Sequence, residues 1–420
     1  MAAAATWDVI VVGARVAGAA TAMLLARRGF RVLAVDQAAF PSDTLSSHQL
    51  QVPGVAKLAR WGLLDRLTAA ATPPTRKVRF DSNQVVVEGC FPAEDSVDAL
   101  YSPRRTLLDA LLVYSAREAG AEVREHVQVK ELTVSDGAVT GIVGMEAGRI
   151  PVRETARLVV GADGKHSLVA RTVGAEAYRV RPSASLACYG YWSGLKLERG
   201  ELYQRPGLAA AAFPTNDDLS VVFIAIPIAE FQYFRGDIEG SYRRALERCG
   251  DLGQRIRESV LVERLRTTPD LPNCFRVPNG PGWALVGDAG VVMDPVSAQG
   301  IGNALRDAEL LADAIAEGLR GSGSLEAALA KHWRCRDAAI TPMYNLTMRL
   351  ASYRQPRFLE QLLLRSLPGQ QEEIDRLLGV FAGVVPPEEF FSPGNVARLA
   401  GSGLAAALLA KTTRHAVMPS

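Results

Sequence analysis

The sequence has few of the features that define a secreted, membrane-spanning or disulfide-bonded protein. Its five cysteines are widely spaced over 420 residues and form no Cys-x-x-Cys pair, so neither a disulfide framework nor a zinc site is predicted. The N-terminal segment has no basic stretch ahead of an apolar run, and we expect no signal peptide. No run reaches the roughly 18 apolar residues of a transmembrane helix. These absences favour a cytoplasmic protein in a reducing compartment.

The sequence also has almost no excess of charge of either sign. Lysine and arginine number 47 against 45 acidic residues, and a net charge of +2 gives no reason to expect nucleic acid as a partner. The composition, 48% apolar and 22% charged, is ordinary for a globular protein, and the chain can hold two or three domains. We find no convincing histidine cluster or Ser-His-Asp set, and we expect neither a bound metal nor a protein nucleophile.

The first informative segment is a strand, a glycine turn and a helix near the N-terminus. Residues 8–12 form a short apolar run that ends at Gly13, which is typical of a buried parallel strand. Residues 17–28 are rich in Ala and Leu and predict a helix, and residues 31–35 predict a second strand. A strand, helix and strand within about thirty residues is the size of a βαβ unit.

This unit has the pattern of a dinucleotide-binding turn. Gly13 permits the tight turn, Gly18 lets the helix lie close to the strand, and a pyrophosphate is expected at the helix N-terminus. Asp36 ends the second strand, where an acid binds ribose hydroxyls, and it favours FAD or NAD over NADP at this site. Arg15 occupies the place of the second glycine, so its side chain must avoid the pyrophosphate or bind it by charge. The residues assigned to this end of the site are Gly13, Arg15, Val16, Ala17, Gly18, Asp36 and Gln37.

A second strand-turn-helix lies near residue 287. Residues 283–286 predict a strand, Gly287 and Asp288 a turn, and a helix follows from about Asn303. A helix N-terminus presents free N–H groups and the positive end of its dipole to a ligand. The carboxylate at the turn can accept from a sugar hydroxyl, and the glycines let a flat ring approach the backbone. The residues assigned to this end are Gly287, Asp288, Pro295, Gly300, Ile301 and Gly302.

A third segment, residues 158–171, contains Gly-Ala-Asp-Gly followed by a serine and an arginine. With this segment the chain resembles the group A flavoprotein monooxygenases, the para-hydroxybenzoate hydroxylase-like family, over most of residues 7–315. The residues that carry this resemblance are Gly161, Ala162, Asp163, Gly164, Ser167, Arg171, Gly287, Asp288, Ala289, Pro295, Gln299 and Gly300.

The resemblance implies an FAD enzyme that takes electrons from NADPH or NADH and uses molecular oxygen. In that family the reduced flavin forms a C4a-hydroperoxide, which hydroxylates or otherwise oxygenates a small aromatic or polyketide-like substrate. Arg105 then corresponds to an FAD-contacting arginine, Val129 to an adenine-contacting backbone position, and Asp163 and Gly164 to an element that supports both nucleotides. His48 follows the second strand in a region that passes close to the flavin, and it is the one candidate catalytic residue, as a gate or proton relay.

Four positions depart from the family pattern: Arg15 and Ala298 replace glycines, Val291 replaces a common histidine, and Gly302 replaces a common asparagine. The segment from Asp294 to Ile301 also resembles geranylgeranyl-reductase-like proteins and flavin-dependent halogenases. A reductase or dehydrogenase therefore stays an alternative, as does a halogenase, although the Trp-x-Trp-x-Ile-Pro motif is absent and Lys77 is the only candidate lysine. A flavin-binding protein without enzymatic activity also stays open.

The fold expected is α/β, with a Rossmann-like FAD-binding domain, an inserted antiparallel sheet and a helical C-terminal region. We assign residues 1–74, 102–174 and 276–325 to the FAD-binding domain, 75–101 and 175–275 to a substrate-binding sheet domain, and 326–420 to the helical region. The sheet domain carries aromatic residues that are candidates for lining a substrate pocket, and we expect a monomer or homodimer. These aromatic candidates are Tyr189, Tyr191, Trp192, Phe213 and Phe223.

Overall fold

The computed structural model describes residues 7–83, 85–321, 323–354 and 358–401. Residues 402–420, which belong to the predicted helical region, lie outside the described residues. The described part has the mixed α/β fold that the sequence predicts, with a Rossmann-like parallel sheet, an antiparallel sheet and a helical C-terminal region. No helix in this part is long and apolar enough to cross a membrane.

The strands are numbered in chain order. Within the described residues they are β1 (Trp7–Val12), β2 (Val32–Val35), β3 (Pro74–Thr75), β4 (Lys77–Ser82), β5 (Val85–Cys90), β6 (Leu100–Tyr101), β7 (Glu122–Arg124), β8 (Gln128–Ser135), β9 (Ala138–Glu146), β10 (Ile150–Gly161), β11 (Ala177–Arg181), β12 (Ser185–Ser193), β13 (Gly200–Arg205), β14 (Leu208–Pro214), β15 (Ser220–Pro227), β16 (Val260–Leu261), β17 (Arg266–Thr268), β18 (Asn273–Arg276), β19 (Asn279–Gly280), β20 (Trp283–Leu285) and β21 (Val291–Val292).

The helices are numbered in the same way. Those described are α1 (Val16–Arg27), α2 (Val52–Arg60), α3 (Leu64–Ala69), α4 (Arg105–Glu118), α5 (Leu168–Thr172), α6 (Phe231–Gly236), α7 (Ile238–Leu246), α8 (Leu252–Arg257), α9 (Gly300–Arg320), α10 (Leu325–Leu350), α11 (Phe358–Ser366), α12 (Gln371–Ala382) and α13 (Pro387–Phe390), with 3₁₀ turns at Ile228–Glu230, Gly287–Ala289 and Pro295–Ser297.

The first sheet has the strand order β19-β20-β10-β1-β2-β7. The central strands β20, β10, β1, β2 and β7 run parallel to one another. Strand β1 is buried on both faces because Val9 and Val11 pack towards helices α1, α4 and α9, whereas Ile10 and Val12 pack towards the β8–β9 hairpin. This burial explains why residues 8–12 form an unbroken apolar run instead of an alternating pattern.

The second sheet contains β4, β5 and β12 to β17, with β12, β15, β14 and β13 in antiparallel order. Its two faces pack in different cores, because alternate residues of a strand point to opposite sides. Phe213 and Phe223 belong to the core shared with α10 and α12, whereas Trp192 and Ile224 belong to the core under α6 to α8. The strands of this sheet come from the two segments assigned to the substrate domain, and the domain boundaries themselves stay a prediction.

Two details differ from the expectation from sequence. From the sequence we expect one helix over residues 53–67, but this region forms two helices, α2 and α3, because Gly62 between them has a φ of +74° and ends the first helix. Helix α9 begins at Gly300 and not near Asn303, so its first turn contains two glycines despite their low helix propensity. The earlier start brings the helix N-terminus closer to Pro295.

Candidate flavin site

Three turns meet at one edge of the parallel sheet. Strand β10 pairs in parallel with β1 on one side, where Gly161 is opposite Val12, and with β20 on the other, where Gly161 is opposite Leu285. The carboxyl ends of adjacent parallel strands lie side by side, and ligands of such sheets bind in the crevice outside them. The turns that begin at Gly13, Ala162 and Gly287 therefore surround one crevice.

The turns are in close contact with one another, and glycine is required where they touch. A Cβ on Gly13, whose φ is +97°, would lie 2.5 Å from the Ala162 carbonyl oxygen. A Cβ on Gly287, whose φ is +62°, would lie 2.6 Å from the Cβ of Ala17. Each contact joins two of the three sequence segments, so the segments predicted to share a site are neighbours in the fold.

The crevice opens into a cavity of about 750 Å³, which we call the dinucleotide cavity. The first turns of α1 and α9 both line it, as the two strand-turn-helix patterns predict. All but two of the residues assigned from sequence to cofactor binding lie on its wall; their role as cofactor contacts stays a prediction. The residues on the wall are Gly13, Arg15, Val16, Ala17, Asp36, Gln37, Arg105, Val129, Asp163, Gly164, Gly287, Asp288, Pro295, Gly300 and Ile301.

The two remaining residues, Gly18 and Gly302, do not line the cavity, although both lie in first helical turns. A Cβ on Gly18 would lie 1.8 Å from the Gly13 carbonyl oxygen, so Gly18 lets helix α1 lie against the glycine turn. A Cβ on Gly302 would meet no atom within 4 Å. Gly18 therefore supports the site by packing. At position 302, no neighbouring atom excludes a Cβ, so packing does not require glycine there.

Asp36 is held firmly at the nucleotide end of the cavity. Its carboxylate accepts hydrogen bonds from the backbone N–H groups of Ala14, at 2.7 Å, and Ala38, at 2.8 Å. Each carboxylate oxygen can accept more than one hydrogen bond. The carboxylate is thus oriented by the glycine turn and can still accept from ribose hydroxyls.

Asp288 has a different environment at the other end. Its side chain is open to the cavity but surrounded by protein, and no described residue forms a hydrogen bond with its carboxylate. Desolvation by burial raises the pKa of Asp288, and the cations Arg105, Lys165 and Arg276 oppose this change. A carboxylate without a partner in such a place is suited to accept hydrogen bonds from polyol hydroxyls of a ligand.

Asp163 shapes the middle turn. Its carboxylate accepts from the Ser167 hydroxyl at 2.5 Å and from the backbone N–H groups of Leu168, at 2.6 Å, and Val169, at 3.2 Å. These bonds satisfy N–H groups at the start of helix α5. Gly164, with a φ of +78°, completes the turn.

The Arg15 side chain lines the dinucleotide cavity and is held in an ion cluster. Its guanidinium donates to the fully buried Asp109 carboxylate at 2.6 Å and to the hydroxyl and carbonyl of Ser42. Arg105 donates to the same Asp109 through its Nε and Nη2, each at 3.0 Å. One carboxylate thus serves two arginines, and the cluster leaves positive charge on the cavity wall where a diphosphate is expected.

His48 is not on the wall of the cavity. Its side chain is fully buried, with Nε2 at 2.6 Å from the Tyr191 hydroxyl and its ring 5.1 Å from that of Tyr189, which lines the cavity. Burial first, and then the neighbouring cations Arg105, Arg104 and Arg266, lower the pKa of His48 from 6.5 to about 3. The residue is therefore neutral at physiological pH, and its predicted catalytic role stays a prediction.

The pKa of His48 predicts a pH-dependent stability. The unfolded chain binds a proton at His48 near pH 6.5, whereas the folded chain does so only near pH 3, so acid favours unfolding in this interval. We expect this group to remove about 2 kcal/mol from the free energy of unfolding between pH 8 and pH 5. Urea unfolding at both pH values should show that loss in the wild type and not in His48→Asn, which tolerates the φ of +60°.

The exposed His126, whose φ of +59° matches that of His48, supplies the control for this measurement. His126→Asn should keep the wild-type difference between pH 8 and pH 5, because this substitution leaves the buried His48 in place. Equal pH dependence in wild type and His48→Asn would contradict a neutral, buried His48.

A second, apolar cavity of about 140 Å³ adjoins the first. Ser47, Phe223 and Pro295 line both cavities and mark the junction. Its wall combines the second sheet, which contributes Phe80 and Phe213, with helices α10 and α12. Two of the aromatic candidates, Phe213 and Phe223, thus line this cavity, whereas Tyr191 and Trp192 line neither cavity.

The dinucleotide cavity fits FAD. Its volume is within the range of about 300–1,000 Å³ that is typical of ligand sites. Asp36 is suited to the ribose, the unpartnered Asp288 to the ribityl hydroxyls, and Arg15 with Arg105 to the diphosphate. The helix N-terminus at Gly300 adds N–H groups near the junction, where the isoalloxazine ring would meet the apolar cavity.

Comparison with known proteins agrees with this geometry. Residues 6–187 match the family model described as FAD binding domain. The chain is 28% identical over 342 residues to the digeranylgeranylglycerophospholipid reductase of Methanothrix thermoacetophila, covering 78% of this chain and 83% of that protein.

Two solved structures share the fold at low sequence identity. One is the myxobacterial chondrochloren halogenase CndH, an FAD-dependent halogenase, with a TM-score of 0.77, 21% identity and coverage of 94% of this chain and 96% of that chain. The other is pqsL of Pseudomonas aeruginosa, described as a probable FAD-dependent monooxygenase, with a TM-score of 0.68, 23% identity and coverage of 90% and 99%.

The chain therefore carries an FAD-binding domain, and the resemblance inferred from its motifs is confirmed. Over most of its length the chain is similar in fold to an FAD-dependent halogenase and a probable FAD-dependent monooxygenase, and similar in sequence to a geranylgeranyl-reductase-like protein.

Sequence reasoning missed several residues that shape the site. Asp109 lies four residues after Arg105 in helix α4, and this spacing was a readable signal for an ion pair. Asp307 fixes the turn at Gly287. Its carboxylate accepts a hydrogen bond from the Gly287 N–H at 2.9 Å and lies 2.8 Å from His332 Nε2. That contact joins α9 to α10, and no local pattern indicates it.

Proposed function

We propose that this protein is an NAD(P)H-driven, FAD-dependent monooxygenase that oxygenates a small, apolar, electron-rich molecule in the apolar cavity. One observation carries the proposal. Among the described residues that line the apolar cavity there is no Asp, Glu, His, Lys or Cys side chain. Chemistry in this cavity must therefore come from a bound reagent, and FAD, when reduced, supplies electrons to oxygen for transfer of one oxygen atom.

The chain's own residues position and enclose the reactants. Phe223 and Pro295 lie at the junction of the two cavities. A substrate in the apolar cavity would therefore lie next to the end of the dinucleotide cavity that is expected to hold the isoalloxazine ring. Phe223 is buried there and contributes apolar surface that limits the access of water to the junction. The N-terminus of α9 at Gly300 lines the dinucleotide cavity and would stabilise negative charge that develops on a bound flavin.

Reduction of an alkene needs a proton donor beside the reacting carbon. The apolar cavity offers only poor proton donors, which favours oxygenation over reduction. Tyr203 and Tyr353 are the candidates, but their hydroxyls donate to Glu201 Oε2 and Ser185 Oγ, each at 2.7 Å. Burial raises the pKa of both tyrosines well above the ordinary value. Neither hydroxyl is a good acid towards the cavity.

A reductase or dehydrogenase of the geranylgeranyl-reductase type is the second candidate. The similarity to a reductase over 78% of the chain favours it, and an apolar cavity also suits an isoprenoid chain. A halogenase has less support. Lys77, the only candidate lysine, is exposed at the start of β4 and lines neither cavity.

Isotope labelling separates the candidates. FAD-loaded protein is incubated with NADPH or NADH and a panel of single-ring phenols and small polyketides under ¹⁸O₂, and products are analysed by mass spectrometry. We expect substrate-stimulated NAD(P)H oxidation and one ¹⁸O atom in the product. Turnover under strict anaerobiosis to a reduced, unlabelled product would contradict oxygenation and support the reductase.

The halogenase is tested in parallel by adding chloride or bromide and by the variant Lys77→Ala. We expect no halogenated product and no change in the oxygenation rate of Lys77→Ala. A halide-dependent product that disappears in Lys77→Ala would contradict the proposal.

A further inference from the structure

A short polar strip crosses the apolar cavity next to the junction. Ser47, Gln49 and Gln51 line the cavity, whereas the intervening His48 and Leu50 do not. Leu50 is fixed by two backbone hydrogen bonds with Tyr101, and His48 is fixed by its contact with Tyr191. The contacts of His48 and Leu50 therefore anchor residues 47–51, and the alternate side chains of Ser47, Gln49 and Gln51 line the cavity.

The two glutamines form an incomplete hydrogen-bonded pair. Gln51 Nε2 donates to Gln49 Oε1 at 3.3 Å. Each residue is only 5% exposed, and Gln51 Oε1 is buried without a hydrogen-bond partner. A buried acceptor without a partner costs about 1–3 kcal/mol, so such groups in folded proteins generally have a ligand or a water as partner.

We propose that Gln49 and Gln51 determine substrate specificity by binding a hydroxyl group of an otherwise apolar substrate. The inference rests on the proposed function to the extent that the apolar cavity is the substrate site. It extends that function by naming the substrate class: a neutral, hydroxylated ring or short chain with its hydroxyl close to the flavin end of the cavity.

A hydroxyl matches this pair whichever way the two amides are oriented. If both amides are turned, the unpaired group becomes an N–H donor instead of an oxygen acceptor, and a hydroxyl both donates and accepts. A carboxylate has no proton to donate to the oxygen, and a hydrocarbon satisfies neither group. A site that hydrogen-bonds a substrate hydroxyl discriminates strongly against the analogue that lacks it.

The size of the apolar cavity selects the probes for a test. Its volume of about 140 Å³ is close to that of cavities of roughly 150 Å³ that bind benzene, so single-ring molecules are suitable. The probes are p-cresol and p-xylene, which differ by a hydroxyl in place of a methyl group. Binding is measured by isothermal titration calorimetry on FAD-loaded protein without any electron donor.

The wild type is expected to bind p-cresol about five- to tenfold more tightly than p-xylene. A purely apolar wall gives the opposite preference, because p-xylene gains more from leaving water. In Gln49→Leu and Gln51→Leu the preference should reverse. Gln204→Leu, which removes an amide from another wall of the same cavity, should keep it.

The wild-type measurement alone can overturn the inference, so the test does not depend on whether the leucine variants fold. The inference is overturned if the wild type binds p-xylene more tightly than p-cresol, or if it binds neither probe. Loss of the p-cresol preference in Gln204→Leu, with Gln51→Leu unchanged, also overturns it. Because no turnover is measured, absence of oxygenated product would refute the proposed reaction and leave hydroxyl recognition standing.

Discussion

Gly13→Ala is expected to yield a protein that does not retain FAD and whose free energy of unfolding is lower by about 3 kcal/mol. Part of that loss, about 1 kcal/mol, comes from the φ of +97°, which alanine rarely adopts. The larger part comes from overlap, since the new Cβ would lie 2.5 Å from the Ala162 carbonyl oxygen and 3.0 Å from the Asp163 nitrogen. Both neighbours are backbone atoms of the middle turn, so relief of the overlap separates two walls of the dinucleotide cavity.

Gly120→Ala is the matched control because Gly120 has nearly the same φ, +99°, and a Cβ there would meet no atom within 4 Å. It should lose about 1 kcal/mol and retain FAD. Urea unfolding and the flavin content after gel filtration provide the two readouts. FAD retention by Gly13→Ala, or an equal loss of stability in both variants, would contradict close contact between the first and middle turns.

Asp109→Asn should be the most damaging substitution of a charged residue near the site. Asp109 is fully buried and binds both Arg15 and Arg105, so its neutralisation leaves two partly buried arginines without a counter-charge. Loss of one partner from such a buried cluster costs about 3–5 kcal/mol. We expect a decrease of that size in the free energy of unfolding of the FAD-free protein.

Asp98→Asn provides the same chemical change at an exposed ion pair with Arg76, in which both side chains are more than half exposed. The expected loss there is at most about 1 kcal/mol, because solvent screens the pair. A loss in Asp109→Asn no larger than that in Asp98→Asn would show that Arg15 is not held by Asp109.

The elements that form the cavity were predictable because their signals are local. Gly13, Gly287 and the apolar runs before them indicate strands and turns through backbone freedom and burial, and the structure places both turns at one sheet edge. Helices α6 to α8 were not predicted within the aromatic, strand-rich segment. Their apolar faces cover one side of the second sheet, which is a tertiary effect that local patterns do not report.

The contacts that complete the site were harder to infer. Ala298 has a φ of +53°, a conformation that suits the glycine implied at this position by the family resemblance, but the sequence shows only the substitution. Gln49 and Gln51 gain their significance from an apolar cavity whose other walls come from distant parts of the chain, from Phe80 to Ala382. Side chains of this kind become visible only when the distant segments are brought together.

The most direct test of the account is titration of the purified, flavin-free protein with FAD, followed by absorption spectroscopy and calorimetry. The central claim, that three distant segments form one dinucleotide cavity, predicts saturable uptake of one FAD per chain and a yellow protein after gel filtration. A correctly folded protein that stays colourless and takes up no FAD would contradict it.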